Sequence, residues 1–247
     1  MPERLRIRIF LPFAALFFGL YCYAAAGLPL WGSFHGPYGE YVARMAVYER
    51  HATDTVNAIN YDYRGFDTLG EEFILFTAVL GVMLLLRRDE KSSVSGKVQD
   101  RAVLSPTVQA VALPIAGLTV VFGLYIGLHG QLTPGGGFQG GVILATAPVL
   151  VYISQNTAAF TRFTAHRLVE ALEAAGAGAY AVIGIVPLLA GLPFLTNVVP
   201  LGTTGQVFSS GTIAVISATV GFEVTAAFLL VVYTYLQEII AGGVPED

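Results

Sequence analysis

Long apolar runs separated by short polar ones set the first expectation for this chain. Reading the charge-poor runs as helices gives six spans, at about 9–29, 68–87, 105–128, 137–155, 174–195 and 211–236. Each is close to the roughly 20 residues that an α-helix needs to cross a hydrocarbon layer about 30 Å thick. The runs are too continuous for the alternation of a membrane β-barrel. The expected fold is therefore all-α: a polytopic membrane helical bundle of about six transmembrane helices.

The polar stretches between the spans predict orientation and organisation. If six spans alternate, Arg4, Arg6, Arg8, Arg87, Arg88, Lys91, Lys97, Arg101, Arg162 and Arg167 share one side, and only Arg44, Arg50 and Arg64 fall on the other. Cytoplasmic loops carry the excess of Lys and Arg, so both termini are expected in the cytoplasm. The stretch "RRDEKSSVSGKVQDR" is polar and Ser-rich and reads as a linker, at 91–104, between an N-terminal module (1–90) and a four-helix module (105–240). The external segment 31–67 places Tyr41, Met45, Tyr48, Ala52, Val56 and Ile59 at helical spacing, the pattern of an interfacial or partner-packed helix, or of one that caps the protein's own outer surface. The first span follows a basic start like that of a signal peptide, but it is too long for the usual apolar core of one and is expected to stay as a membrane anchor.

Composition agrees with this pattern. Hydrophobic residues make up 55% of the 247 and charged ones 12%, against about 25% charged in soluble domains. The single Cys22 lies inside the first span, so neither a disulfide framework nor a Cys metal site is expected. The histidines are isolated and form no H-x-x-x-H pair, so no metal or other cofactor is expected. A net charge of −4 gives no support for nucleic-acid binding. "HGQLTPGGGFQGG", residues 129–141, lacks the Lys-Ser/Thr of a phosphate-binding loop. Its Gly136, Gly137, Gly140 and Gly141, with Gly123 and Gly127 in the preceding span, instead leave notches into which a partner helix could pack closely.

Against this apolar background a few charges stand out. "NYDYRGFDTLGEEF" (60–73) sets Arg64, Asp67, Glu71 and Glu72 at the head of a span that has only a short uncharged run of its own. Thr68 and Glu71 fit a capping box, and Arg64 could pair with Asp67 or Glu71. The same carboxylates could equally hold protons or a hard cation at the membrane boundary. Glu223 falls near the middle of the last span, where an ionised group costs at least about 2.5 kcal/mol unless sheltered. It is either an ion-exchanging group or a protonated packing device. His166, Glu170 and Glu173 share one helical face, which suits a proton-uptake relay and an ordinary solvated helix end alike.

Three stretches together resemble a known family. "VNAINYDYRGFDTLGEEFILFTAVLGVMLLL" is similar to the C-terminal signature of the large A-type component of Mrp-type multisubunit Na+/H+ antiporters and to the corresponding small component of membrane-bound hydrogenases. "HGQLTPGGGFQGGVILA" and "VGFEVTAAFLLV" resemble the MnhB-type domain of those antiporters. The resemblance covers most of residues 56–237. It implies a membrane subunit, functional only in a hetero-oligomer, that helps form a sodium pathway beside proton-pumping subunits. By carry-over, Arg64, Asp67 and Glu71 match the charged motif, Glu173 an acidic position near a helix start, and Glu223 the acid of the late helix. Glu72 departs from the pattern, which has an uncharged residue there, and segment 31–56 matches no assigned motif.

The expected function is that of a non-enzymatic membrane subunit of a Na+/H+ antiporter complex in the plasma membrane of a prokaryote. Its partners are other membrane subunits, Na+, H+ and the lipid bilayer. Glu223, Asp67, Glu71, Arg64 and Glu173 would form the ion pathway. The alternatives are an antiporter-module subunit of a membrane-bound hydrogenase or other complex I-like oxidoreductase, and a purely structural adaptor.

Overall fold

The computed structural model describes residues 3–28, 36–86 and 105–241. Its helices are α1 (Glu3–Ala26), α2 (Pro37–Arg50), α3 (Thr55–Ala58), α4 (Gly65–Leu85), α5 (Pro106–Leu128), α6 (Gly137–Ser154), α7 (Thr157–Phe163), α8 (His166–Leu189) and α9 (Thr212–Ala241), and a π-helical turn, Ile59–Tyr63, runs from α3 into α4. No strand occurs among the described residues. Six helices are long and apolar enough to cross a membrane: α1, α4, α5, α6, α8 and α9. The six expected spans are thus present as an all-helical membrane architecture. The linker read at 91–104 lies outside the described residues.

The chain forms two compact units, Met1–Tyr41 and Val42–Asp247. In the first, α1 is apolar along its membrane-spanning stretch and buries none of it within the chain. In the second, α9 is the central helix, packed against α4, α5, α6 and α8. Its apolar core groups Val220 and Val224 with Val42, Ala46, Tyr61 and Tyr180, and a second cluster sets Leu230 beside Val79, Phe160 and Val169. One end of this unit is rich in loops (51–54, 129–136 and 190–211) and also carries α3 and the π-helical turn. The other carries the start of α5, the short α7 and the start of α8.

Glycines decide how closely these helices approach. A Cβ on Gly140 would fall 2.6 Å from the Gly127 backbone, and one on Gly123 would fall 2.8 Å from Leu144. A Cβ on Gly137 would lie 2.1 Å from the Ser217 carbonyl, and one on Gly141 2.7 Å from that of Gly221. At this range side-chain hydroxyls of one helix reach backbone carbonyls of the next: Ser217 donates to the Gly127 carbonyl (2.9 Å) and Thr225 to that of Gly141 (3.1 Å). The notches expected to receive a partner helix are therefore filled from within the chain, where α5, α6 and α9 close on one another. Gly136 has a different duty: at φ +127° it turns the chain into α6 with Asn57 against it.

Three local expectations are corrected. The helix after the charged motif starts at Gly65, with Arg64 as its N-cap and no side-chain capping bond, so Thr68 lies inside the helix, buried, and the Thr68–Glu71 capping box does not form. The stripe 41–59 does not lie on one helix: α2 ends at Arg50, with Val42 and Ala46 buried and Tyr41 and Tyr48 exposed, and Ala52, Val56 and Ile59 fall beyond it. Finally, α8 begins at His166, eight residues before the expected 174, because its charges sit on a membrane-length helix rather than ahead of one.

The glycine contacts lead to a stability prediction. Gly137→Ala should destabilise the folded protein by about 1–3 kcal/mol, the usual cost of overpacking. Gly117→Ala on α5, with nothing within 4 Å of the new methyl, should be neutral. Thermal melting of the detergent-solubilised complex, followed by size-exclusion chromatography, checks both.

Candidate functional site

The charged motif folds into two layers. The outer one belongs to the loop-rich end. Asp62, in the π-helical turn, accepts from Arg50 Nε at 2.6 Å and from Asn197 Nδ2 at 3.2 Å. Asn197 also donates to the Ser210 carbonyl and accepts from the Thr212 N–H, and Ser210 Oγ donates to the His51 carbonyl. The Arg50 guanidinium lies over the Tyr63 ring, whose hydroxyl donates to Glu49 at 2.6 Å. Burial alone would lower the Arg50 pKa, but the hydrogen bond and charge of Asp62 outweigh it and leave the group above its ordinary value. Burial and the bond to Glu49 raise the Tyr63 phenol. A second tie joins Asp54, Asn57 and the glycine turn, as Asn57 Nδ2 donates to Asp54 (2.7 Å) and to the Gly135 carbonyl (3.0 Å). Three loops distant in sequence are thereby held as one polar cap.

The inner layer is a set of buried carboxylates. Glu72 of α4 is 2% exposed, Glu223 of α9 0% and Glu173 of α8 3%. Both oxygens of Glu223, Oε2 of Glu72 and Oε1 of Glu173 have no hydrogen-bond partner among the described residues. Buried polar atoms in native proteins are almost always paired, so four unpaired carboxylate oxygens in one core need an explanation. Glu223 is within electrostatic reach of both Glu72 and Glu173. Gly176 of α8 makes room for it: a Cβ there would fall 2.5 Å from Glu223 Cβ.

The three acids lie on three different helices, Glu72 on α4, Glu223 on α9 and Glu173 on α8. Two buried tyrosines lie near Glu72. Tyr180 donates to the Gly65 carbonyl at 2.9 Å. The Tyr61 phenol faces the backbone N–H groups of Gly137 and Phe138 at the start of α6, and burial together with the charge of Glu72 raises its pKa.

Each residue expected in the ion pathway has a definite place. Glu223 and Glu173 are interior. Arg64 and Asp67 form an exposed pair, Nε to Oδ2 at 2.6 Å. Glu71 is exposed as well, and its neighbour Glu72 is the acid turned into the core. Gly65, Thr68, Leu69, Glu72 and Val79 are the buried residues of α4. That 3.6-residue stripe was a readable signal for Glu72. Tyr61, Tyr180 and Gly176 had no such signal, because their roles depend on contacts between helices remote in sequence.

Comparison with known proteins shows the family and the fold. Residues 107–230 match the family described as a domain related to the MnhB subunit of Na+/H+ antiporter, and residues 30–101 match the family of the E subunit of MBH. An uncharacterised protein of Methanocaldococcus jannaschii is 30% identical over 199 residues, covering 71% of this chain and 76% of that protein. A probable A/B-type subunit of a K+/H+ antiporter of Rhizobium meliloti is 32% identical over 137 residues, 47% of this chain but 14% of that much longer protein. Among solved structures, a chain of the membrane-bound sulfane sulfur reductase, an archaeal respiratory membrane complex, superposes with a TM-score of 0.68 at 30% identity, covering 93% of this chain and 97% of that one. A chain of the Mrp complex from a Dietzia species has the same fold, with a TM-score of 0.66 at 22% identity over 100% of this chain and 27% of that one.

The polar cap supports a second prediction. Arg50→Met leaves the buried Asp62 with Asn197 as its remaining partner and should destabilise the loop-rich end by about 1–3 kcal/mol. Faster hydrogen exchange in 51–64 and 196–212, with exchange in α5 and α6 unchanged, is the expected readout.

Proposed function

The chain belongs to the MnhB-related family of Na+/H+ antiporter domains, and from that premise we propose how its buried acids serve a cation/proton antiporter complex of which it is a membrane component. The observation that carries the proposal is Glu223, a fully buried carboxyl near the middle of a membrane-length helix with both oxygens unpaired. A carboxyl kept only for packing would be expected to hydrogen-bond a neighbouring helix, as Ser217 and Thr225 do on the same α9. An acid that exchanges ions needs free lone pairs and a route to water on either side. Glu72 and Glu173, on two helices packed against α9, are the stations such a route requires.

In this mechanism a proton or a sodium ion neutralises Glu223 in turn, and occupancy by one excludes the other. Protonation removes the charge that attracts the cation, and a bound cation disfavours protonation. The chain supplies a competitive site, and the neighbouring subunits supply the driving gradient. Arg64, Asp67 and Glu71 lie on the outward face of α4, where they would meet a neighbouring subunit and set the field at the mouth of the path. The Lys and Arg distribution supports cytoplasmic termini, in the plasma membrane of a prokaryote, and no reaction on a covalent bond is assigned to this chain.

One observation favours a second host. The sulfane sulfur reductase chain matches nearly end to end at 30% identity, so a redox-driven complex carrying the same antiporter module is the alternative assembly. The polypeptides that co-purify with this chain distinguish the two.

Glu223→Gln, in a complex of normal subunit stoichiometry, should lower cation-dependent proton flux in proteoliposomes by about a hundredfold or more. Undiminished flux would reduce the carboxyl to a packing group. Glu71→Gln, on the exposed face, should cost less than Glu72→Gln in the same assay.

A further inference from the structure

His166 opens α8 at the end of the bundle away from the polar cap. Its Nδ1 lies 3.3 Å from Glu170 Oε2, and its ring lies 4.6 Å from that of Tyr233 on α9. The His166 and Glu170 side chains are both partly exposed, at 33% and 45%. Less than one turn further in, Glu173 is 3% exposed with Oε1 unpaired. Glu170 is close enough for its charge to act on Glu173. Solvent, His166, Glu170 and Glu173 therefore follow one another inward along α8 toward the Gly176 notch, against which Glu223 of α9 packs.

We propose that His166 and Glu170 form the proton port of this end of the bundle, exchanging protons between bulk water and Glu173, and that the cation does not pass there. The proposal rests on the ion-exchange reading of Glu223. Two features of the pair favour a proton over sodium. An imidazole can pick up a proton on one ring nitrogen and release one from the other. A sodium ion needs several oxygen ligands together, whereas at this mouth one carboxylate is already engaged by a ring nitrogen that becomes cationic on protonation. The step balances simply: Glu173 in its acid form gives its proton to the Glu170 carboxylate, which passes it to neutral His166, and the imidazolium releases it to water. The reverse order loads Glu173. Among the described residues, the other charged or titratable groups at this end are Arg167 of α8, Tyr233 and Tyr235 of α9, Arg162 of α7 and Tyr152 of α6, and both arginines are exposed. Their positive charge favours discharge of the imidazolium and disfavours cation approach, in keeping with the assignment.

The test uses the intact complex in proteoliposomes. His166→Phe keeps an aromatic ring against Tyr233 while removing both nitrogens, and His166→Ala leaves space for a small buffer. Both should lower the antiport rate on the order of tenfold above neutral pH, leave the KM for sodium unchanged, and flatten the pH profile. Added imidazole should restore the rate of His166→Ala but not that of His166→Phe. A wild-type rate and pH profile in both variants would overturn the port, as would a loss accompanied by a raised sodium KM and no imidazole rescue. Glu223→Gln separates the two levels of the argument. If it retains full antiport, the ion-exchange reading fails. If it is inactive while the His166 variants behave as wild type, only the port fails.

Discussion

The structure is organised around the cost of holding a carboxyl in the middle of a membrane helix. Glu223 is fully buried on α9, the helix that four others surround. An ionised group there costs at least about 2.5 kcal/mol, and no hydrogen bond from the described residues lowers that cost. The surrounding fold is closely packed: glycines at 123, 127, 137, 140 and 141 bring α5, α6 and α9 nearly to backbone contact, and Gly176 brings α8 in from another side. Close packing supplies the dispersion contacts that a membrane bundle relies on in place of the hydrophobic effect.

The polar cap and the buried acids depend on each other through the π-helical turn. Ile59–Tyr63 points Asp62 outward to Arg50 and Asn197 while Tyr61 turns into the core beside Glu72. An α-helical register through the same residues would rotate one of them out of place. π-turns are uncommon, and many lie at functional sites. Here the turn joins a rigid outer network to the first of the inward-facing acids, so that a disturbance at Arg50 would be transmitted toward Glu72 through one short piece of backbone.

Much of this is legible in the sequence and some is not, for reasons that can be named. The spans are legible because a membrane imposes length and apolarity locally. Glu223 is legible because an acid in the middle of such a run has no local explanation. The choice between Glu71 and Glu72 depends on helix phase. A capping box anchored at Thr68 puts the helix start four residues late, and the family motif points to Glu71, whereas the stripe Gly65, Leu69, Glu72, Val79 turns Glu72 inward. The glycines are notches, as their spacing predicts, but their occupants are helices of the same chain, a matter of tertiary topology that spacing does not encode. Arg50, Asn197 and Tyr180 act through partners 12, 135 and 115 residues apart, and no local pattern announces such pairs.

The proposed role turns on whether Glu223 gives up its proton as the cation arrives, and infrared difference spectroscopy on the intact complex, comparing sodium-loaded and sodium-free states, reads that exchange out. Exchange would appear as a protonated-carboxyl band that diminishes on adding sodium and is missing from the Glu223→Gln complex. A band that is insensitive to the cation, or one that persists after that substitution, would leave Glu223 no part in the exchange.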